Sequence, residues 1–198
     1  LDAWIIFANS LKLRMAVTLA DIDPAKAKSM AESAASSPLI SSNAENALFN
    51  YLPVTPNTNP IWVNLIQSER EDFVASNTMM DLLTAPDMDD PRIPLYYTVD
   101  NEGGYSGGIY GRSNSYVTYS KAGPLMTAET APAVLLDYAE TEFYLAEAVS
   151  RGFNVGGTVA EHYTAGILAS IEYWGGSTED AEAYVADPAV DFASASGT

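Results

Sequence analysis

"APAVLLDYAETEFYLAEAVSRG", residues 131–152, carries the clearest periodic signal in the chain. Leu135, Ala139, Phe143, Ala146 and Val149 recur at three- and four-residue steps, the spacing that lines one face of an α-helix. Asp137, Glu140, Tyr144 and Glu147 fall on another face. Pro132 near the start and Gly152 just past the end punctuate the segment as a helix. Glu147 and Arg151 stand four residues apart, an ion pair worth only a few tenths of a kcal/mol. A second helix follows a short turn. Thr158 opens it with a capping box to Glu161, and Val159, Tyr163, Ile167, Ile171 and Trp174 form its apolar seam. Gly175-Gly176 stops it, and "STEDAEAYVAD" begins a third, short helix.

The same pairing recurs at the start of the chain. Residues 2–20 place Trp4, Phe7, Ala8, Leu11, Met15 and Leu19 on one stripe, with Asp2 as the expected N-cap and Trp4 in the core. "DIDP" at 21–24 breaks this helix, and Pro24 is suited to the first position of an alanine-rich helix running to about Ser36. Paired helices joined by short turns resemble tetratricopeptide-type packing, although no 34-residue period repeats along the chain.

Between the two hairpins the helical pattern dissolves. "YLPVTPNTNPIW" (51–62) carries Pro53, Pro56 and Pro60, which excludes helix and central strand alike. A short helix over 76–84 capped by Ser76 follows, then an expected extended stretch over 85–99. From Tyr96 to Tyr119 the chain places six of its 12 tyrosines among five glycines, with no proline. The Gly103-Gly104 and Gly107-Gly108 pairs supply turns, and "SYVTYS" (115–120) alternates as a strand would. The expected architecture is mainly α. Tetratricopeptide-like hairpins over 1–37 and 131–187 (the latter with the short helix) flank an irregular, partly β, loop-rich insert over 38–130.

Composition narrows the function. Nine Lys and Arg against 26 Asp and Glu give a net charge of −17, which excludes the basic surface that phosphate backbones require. No nucleic-acid partner is expected. With no cysteine and one histidine, His162, thiolate chemistry and zinc sites of the Cys or multi-His kind are excluded. His162, between Glu161 and Tyr163, reads as a surface or interhelical residue. Asp87, Asp89 and Asp90 cluster but lack the glycine and distal glutamate of an EF-hand, so no metal is expected; Asp90 reads as a cap, and Arg92 as the partner of an acidic neighbour. No carboxylate pair, Gly-X-Ser-X-Gly or Walker motif is singled out. No catalytic residue and no cofactor are therefore assigned. No apolar run reaches the ~18 residues of a membrane-spanning helix.

Four segments in order, "WIIFANSLKLRMAVTLADIDPAKA" (4–27), "DMDDPRIPLYY" (87–97), "LLDYAETEFYLAEAVSRG" (135–152) and "AEHYTAGILASIEYWG" (160–175), resemble the SusD/RagB family of outer-membrane nutrient-binding lipoproteins. The resemblance implies a helical fold with a ligand-bearing irregular portion and a surface-exposed place at the outer membrane. It implies an N-terminal lipid anchor outside this chain, which reads as an internal fragment of one such domain. It also implies a SusC-like TonB-dependent transporter as partner, and oligosaccharide or peptide as ligand. The best ligand-binding candidates are Tyr105, Tyr110, Tyr116 and Tyr119 with Arg112 and Asn114, because aromatic faces stack on sugar rings while polar neighbours meet the hydroxyls. Trp62, after the proline run, is a further stacking candidate. The alternative reading is a peptide- or protein-binding helical-repeat module in which the tyrosines only brace a loop.

Overall fold

The first helix forms where the sequence places it, but it buries a different face. The computed structural model describes residues 1–85 and 90–194. Helix α1 (Asp2–Leu19) starts from Leu1 with no side-chain cap, so Asp2 is the first helical residue and not the N-cap. Its buried face is Ser10, Leu13, Ala16 and Val17, continued by Ala20, whereas Trp4 is 72% exposed and Met15 is exposed as well. Both stripes have helical spacing, and partner shape decides between them. α2 (Pro24–Ala35) presents Ala27, Ala31 and Ala34, and small side chains on both helices let the backbones approach closely. Pro24 does open α2, with Asp23 capping the Lys26 N–H at 3.1 Å.

A 3₁₀ turn (Asn43–Glu45) leads into β1 (Ala47–Phe49). α3 (Pro60–Trp62) continues directly as a π-helical turn over Val63–Gln67. Pro60 thus begins a helix rather than preventing one, since the first helical position needs no N–H. α4 (Asn77–Leu83) is capped by Ser76 as expected. α5 (Ile93–Tyr96) coils part of the stretch read as extended, and α6 (Pro124–Thr127) is one further turn.

The quoted segment 131–152 divides. Its first part is β2 (Ala133–Leu136), which pairs with β1, and Leu135 lies exposed on that strand. Only then does α7 (Tyr138–Ser150) begin, because the Asp137 carboxylate accepts from the Glu140 N–H at 2.6 Å and fixes the N-terminus there. Of the expected stripe, Ala139 and Ala146 are buried, but Phe143 is partly exposed and the fully covered positions are Thr141 and Ala148. Gly152 closes α7 at φ +79°, where a side chain would be strained. α8 (Val159–Tyr173) has the expected capping box, with Glu161 accepting from the Thr158 N–H at 2.8 Å. α9 (Thr178–Val185) follows Ser177.

These elements group into two compact units. One comprises residues 1–48, 134–173 and 191 onward; the other comprises 49–133 and 174–190. In the first, α1 packs on α2 and α7 around Leu13, Val17, Ala31, Leu145, Ala148 and Phe153, and α7 also packs on α8. Gly166 of α8 lets the ring of Phe143 come so near that an added β-carbon would stand 3.0 Å from it. His162 is interhelical: its Nδ1 lies 2.6 Å from Glu142 Oε2 on α7. Arg151 bonds Glu147 as expected and also reaches Asp21 at 2.7 Å. Mainly helical architecture with two packed hairpins is what the structure shows.

In the second unit Leu83, Ile93 and Tyr96 form a small core, against which Tyr97, Tyr105, Met126 and Trp174 pack. Trp174 meets Tyr96 edge-on at 4.9 Å between centroids. Beside this core Arg92 donates Nε and Nη2 to the two oxygens of Asp90 at 2.8 and 2.6 Å, with the Arg92 N–H also on Asp90 at 2.9 Å. The expected pairing is made, but Asp90 does not cap α5: the N-cap is Arg92, with no side-chain cap, and Asp90 closes the turn before it. Asp87 and Asp89 lie outside the described residues.

Candidate functional site

The tyrosine-glycine region, residues 98–123, is a loop built on hydrogen bonds rather than a hairpin. No strand forms over 115–120. The alternating pattern there is real, but the backbone finds other partners. Ser120 accepts from the Ala75 N–H at 2.7 Å and donates its own N–H to Ser106 O at 3.0 Å, and Asn101 N–H reaches Thr118 O at 3.2 Å. Only isolated bridges form, Ser76 with Gly108 and Tyr97 with Ala122.

Asp100 organises the first half. Its Oδ1 accepts from the Glu102 and Gly104 N–H groups, each at 2.9 Å, and its Oδ2 from the Ser106 hydroxyl at 2.7 Å. The Ser106 hydroxyl first, then the Glu102 N–H, holds the Asp100 carboxyl below the usual carboxylate range, since each donor favours the charged form. Because the folded-state pKa is depressed, this brace is complete above the ordinary aspartate pKa and is lost as pH falls through the lowered value. We expect the Glu102 and Gly104 amide resonances to move together on acidification, with a midpoint below that of an exposed aspartate. An Asp100→Asn chain should lack this transition. A midpoint at the ordinary aspartate value would contradict the brace.

Asn114 organises the second half. Its Oδ1 accepts from the Ile109 N–H at 2.9 Å, and its Nδ2 donates to Ile109 O at 3.0 Å and Arg112 O at 2.9 Å. Asn77, outside the loop, accepts from the Tyr110 N–H at 2.9 Å. Gly107 permits the loop to lie against the 75–77 backbone. There Asn77 N–H donates to Gly108 O and Gly108 N–H to Ala75 O, both at 2.8 Å.

The structure separates the sequence candidates by what they touch. Tyr110 is 80% exposed, and Arg112, two residues on, is exposed as well. Tyr116 is half-buried with Lys121 Nζ 5.0 Å from its ring centre, and Tyr119 is half-buried. Tyr105 packs on the Leu83–Ile93–Tyr96 core, and the Asn114 carboxamide is engaged in bracing. Trp62 is half-buried at the end of α3, away from the loop in sequence. Sequence reading missed the bracing roles of Asp100 and Asn77. The run Asp-Asn-Glu-Gly-Gly at 100–104 has the turn composition that signals the first, whereas nothing local signals the second. An exposed tyrosine ring can stack on another ring, and an exposed guanidinium can donate hydrogen bonds. Among the described residues no helix is long and apolar enough to cross a membrane.

A family model described as "Starch-binding associating with outer membrane", the SusD-like group, matches residues 1–198. No curated protein matches. Among solved structures, a chitin-binding SusD homolog from Flavobacterium johnsoniae is 31% identical with a TM-score of 0.79, over 93% of this chain and 38% of that one. A SusD homolog from Bacteroides uniformis is also 31% identical, with a TM-score of 0.78 over 93% of this chain and 39% of that one. A SusD homolog from Parabacteroides distasonis shares the fold at a TM-score of 0.85 and 24% identity, covering 99% of this chain and 47% of that one. The chain therefore spans less than half the length of these solved relatives.

Proposed function

This chain belongs to the SusD-like family, and from that premise we propose that it binds oligosaccharide nutrients at the bacterial cell surface without breaking a bond in them. The observation that carries the reading is the braced loop that leaves Tyr110 exposed, with exposed Arg112 two residues further along the chain. A sugar ring presents a C–H face that stacks on an aromatic face, and its hydroxyls accept from a guanidinium. Binding of this kind is strong only if the aromatic is held in place beforehand, because ordering it on contact would cost entropy. Tyr116 and Tyr119 follow Tyr110 in sequence and extend the aromatic surface, while Asn114 braces the loop and Tyr105 packs on the Leu83–Ile93–Tyr96 core. Trp62 offers a further stacking face.

In this reading the chain captures ligand and delivers it to a SusC-like TonB-dependent outer-membrane transporter, held at the surface by a lipid anchor lying outside these residues. The helical hairpins supply the scaffold. A relative described as chitin-binding supports a carbohydrate ligand. The test is retardation of the protein in gels containing one polysaccharide each, run beside binding of extended peptides. We expect one glycan class to retard it, with no new reducing ends released. Binding of peptides with indifference to every glycan would replace this reading with a helical-repeat adaptor.

A further inference from the structure

A second feature of the 49–133 unit has the chemistry of a ligand site, and it lies in the proline-rich segment rather than in the tyrosine loop. Phe49, Tyr51, Leu52, Pro56, Asn57 and Pro60 line an open hollow of about 510 Å³, within the roughly 300–1,000 Å³ of small-molecule sites. Phe49 meets Tyr51 edge-on, centroids 5.2 Å apart at 74°, so one ring spends only its edge on the contact. Phe49 is 56% exposed.

The polar groups here are uncommitted. Asn50 and Asn57 are exposed, and neither carboxamide enters a hydrogen bond among the described residues. Thr58 lines the same hollow, and its buried Oγ1 has no partner among them either. By contrast the neighbouring Asn59 is fully engaged. It donates to Ala131 O at 2.9 Å and accepts from the Ile61 N–H at 2.7 Å, and its own N–H reaches Glu129 O at 2.9 Å. Leu52 N–H reaches Asn57 O at 2.8 Å, closing the segment on itself. The wall is thus fixed while its carboxamides stay free.

Among the described residues no charged side chain lines the hollow, so neither an anion nor a cation is matched. A purely apolar ligand would leave the carboxamides unpaired. A carboxamide offers a donor and an acceptor side by side, the pattern that two adjacent hydroxyls satisfy. We propose that this hollow is a second saccharide site, taking one pyranose ring on Phe49 with its hydroxyls on Asn50 and Asn57. The proposal rests on the carbohydrate reading of this chain. Two sites on one chain would raise affinity for a long glycan beyond that for a short one.

The test is an amide and side-chain NMR titration with a short oligosaccharide of the class that retards the protein, followed by polymer binding of Asn57→Ala, Phe49→Ala and Tyr110→Ala. The Asn57 change removes an exposed group with no protein partner, so the fold should be unaffected. We expect the Asn50 and Asn57 side-chain NH₂ signals to shift and polymer affinity to fall about fivefold or more in Asn57→Ala. Sugar-induced shifts confined to the 100–120 loop, with Asn57→Ala binding the polymer normally, would overturn this site and leave the tyrosine loop standing. Shifts confined to the hollow would do the reverse. Shifts at neither would overturn both.

Discussion

Replacing Asp90 by alanine is expected to destabilise the protein by about 3–5 kcal/mol, the cost of removing one partner from a buried ion pair. The Asp90 side chain is almost wholly buried and the Arg92 side chain largely so. One carboxylate accepts two guanidinium N–H groups and a backbone N–H of Arg92, and the Tyr184 hydroxyl lies at 3.4 Å. The guanidinium also lies 5.7 Å from the Tyr184 ring centre. Burial first, then the Asp90 charge, pushes the Tyr184 phenol up to about 12, which keeps it a neutral donor. Without the carboxylate, the cation keeps its burial and loses that partner. A denaturant titration measures the cost. Asp90→Ala combined with Arg92→Leu should recover part of it, because no buried charge then remains. The bidentate Arg70–Asp72 pair on the surface is the control, and Asp72→Ala should have no measurable effect, since solvent screens it. A loss below about 1 kcal/mol in Asp90→Ala would mean that water reaches Arg92 and that the pair is not structural.

Gly107→Val is expected to cost about 3 kcal/mol, at the upper end of overpacking effects, and to weaken ligand binding as well. A β-carbon at Gly107 would stand 2.5 Å from both Asn77 N and Ser76 C, and backbone atoms have no rotamer by which to move away. The two 2.8 Å bonds that tie Gly108 to Ala75 and Asn77 must open to make room. Opening them also removes the Asn77 brace on the Tyr110 N–H. Gly111 separates this clash from backbone strain. It has φ +76° but open space around the β position, so Gly111→Ala should cost only about 1 kcal/mol. Unchanged unfolding and binding in Gly107→Val would show that the loop does not depend on its contact with 75–77.

The local chemistry of the fold was legible where a rule involves neighbours in sequence. The capping box of Thr158 and Glu161, Pro24 opening α2, Ser76 capping α4, the Glu147–Arg151 pair and the Asp90–Arg92 pair all follow from spacings of one to four residues. What failed needed a partner distant in sequence. α1 carries two helical stripes, and the alanines of α2 together with Leu145 and Ala148 of α7 select Leu13, Ala16 and Val17 over Trp4 and Met15. β2 precedes α7 because β1, more than 80 residues earlier in the chain, offers it a ladder and because Asp137 resets the helix start. The loop's tyrosines were visible as a composition. That Tyr110 is the exposed one depends on Asn77 and Asn114, whose roles no short-range pattern encodes.

The central claim is that ligand is held by the face of an exposed, pre-positioned aromatic. Titration calorimetry of the retarding glycan against the unaltered chain, Tyr110→Phe and Tyr110→Ala tests it most directly. The account predicts that Tyr110→Phe keeps most of the affinity, because the stacking face remains. Tyr110→Ala should lose about 1 kcal/mol or more, roughly fivefold or greater, with unfolding unchanged. Equal affinity in all three proteins would contradict it and leave the tyrosine tip without a part in capture.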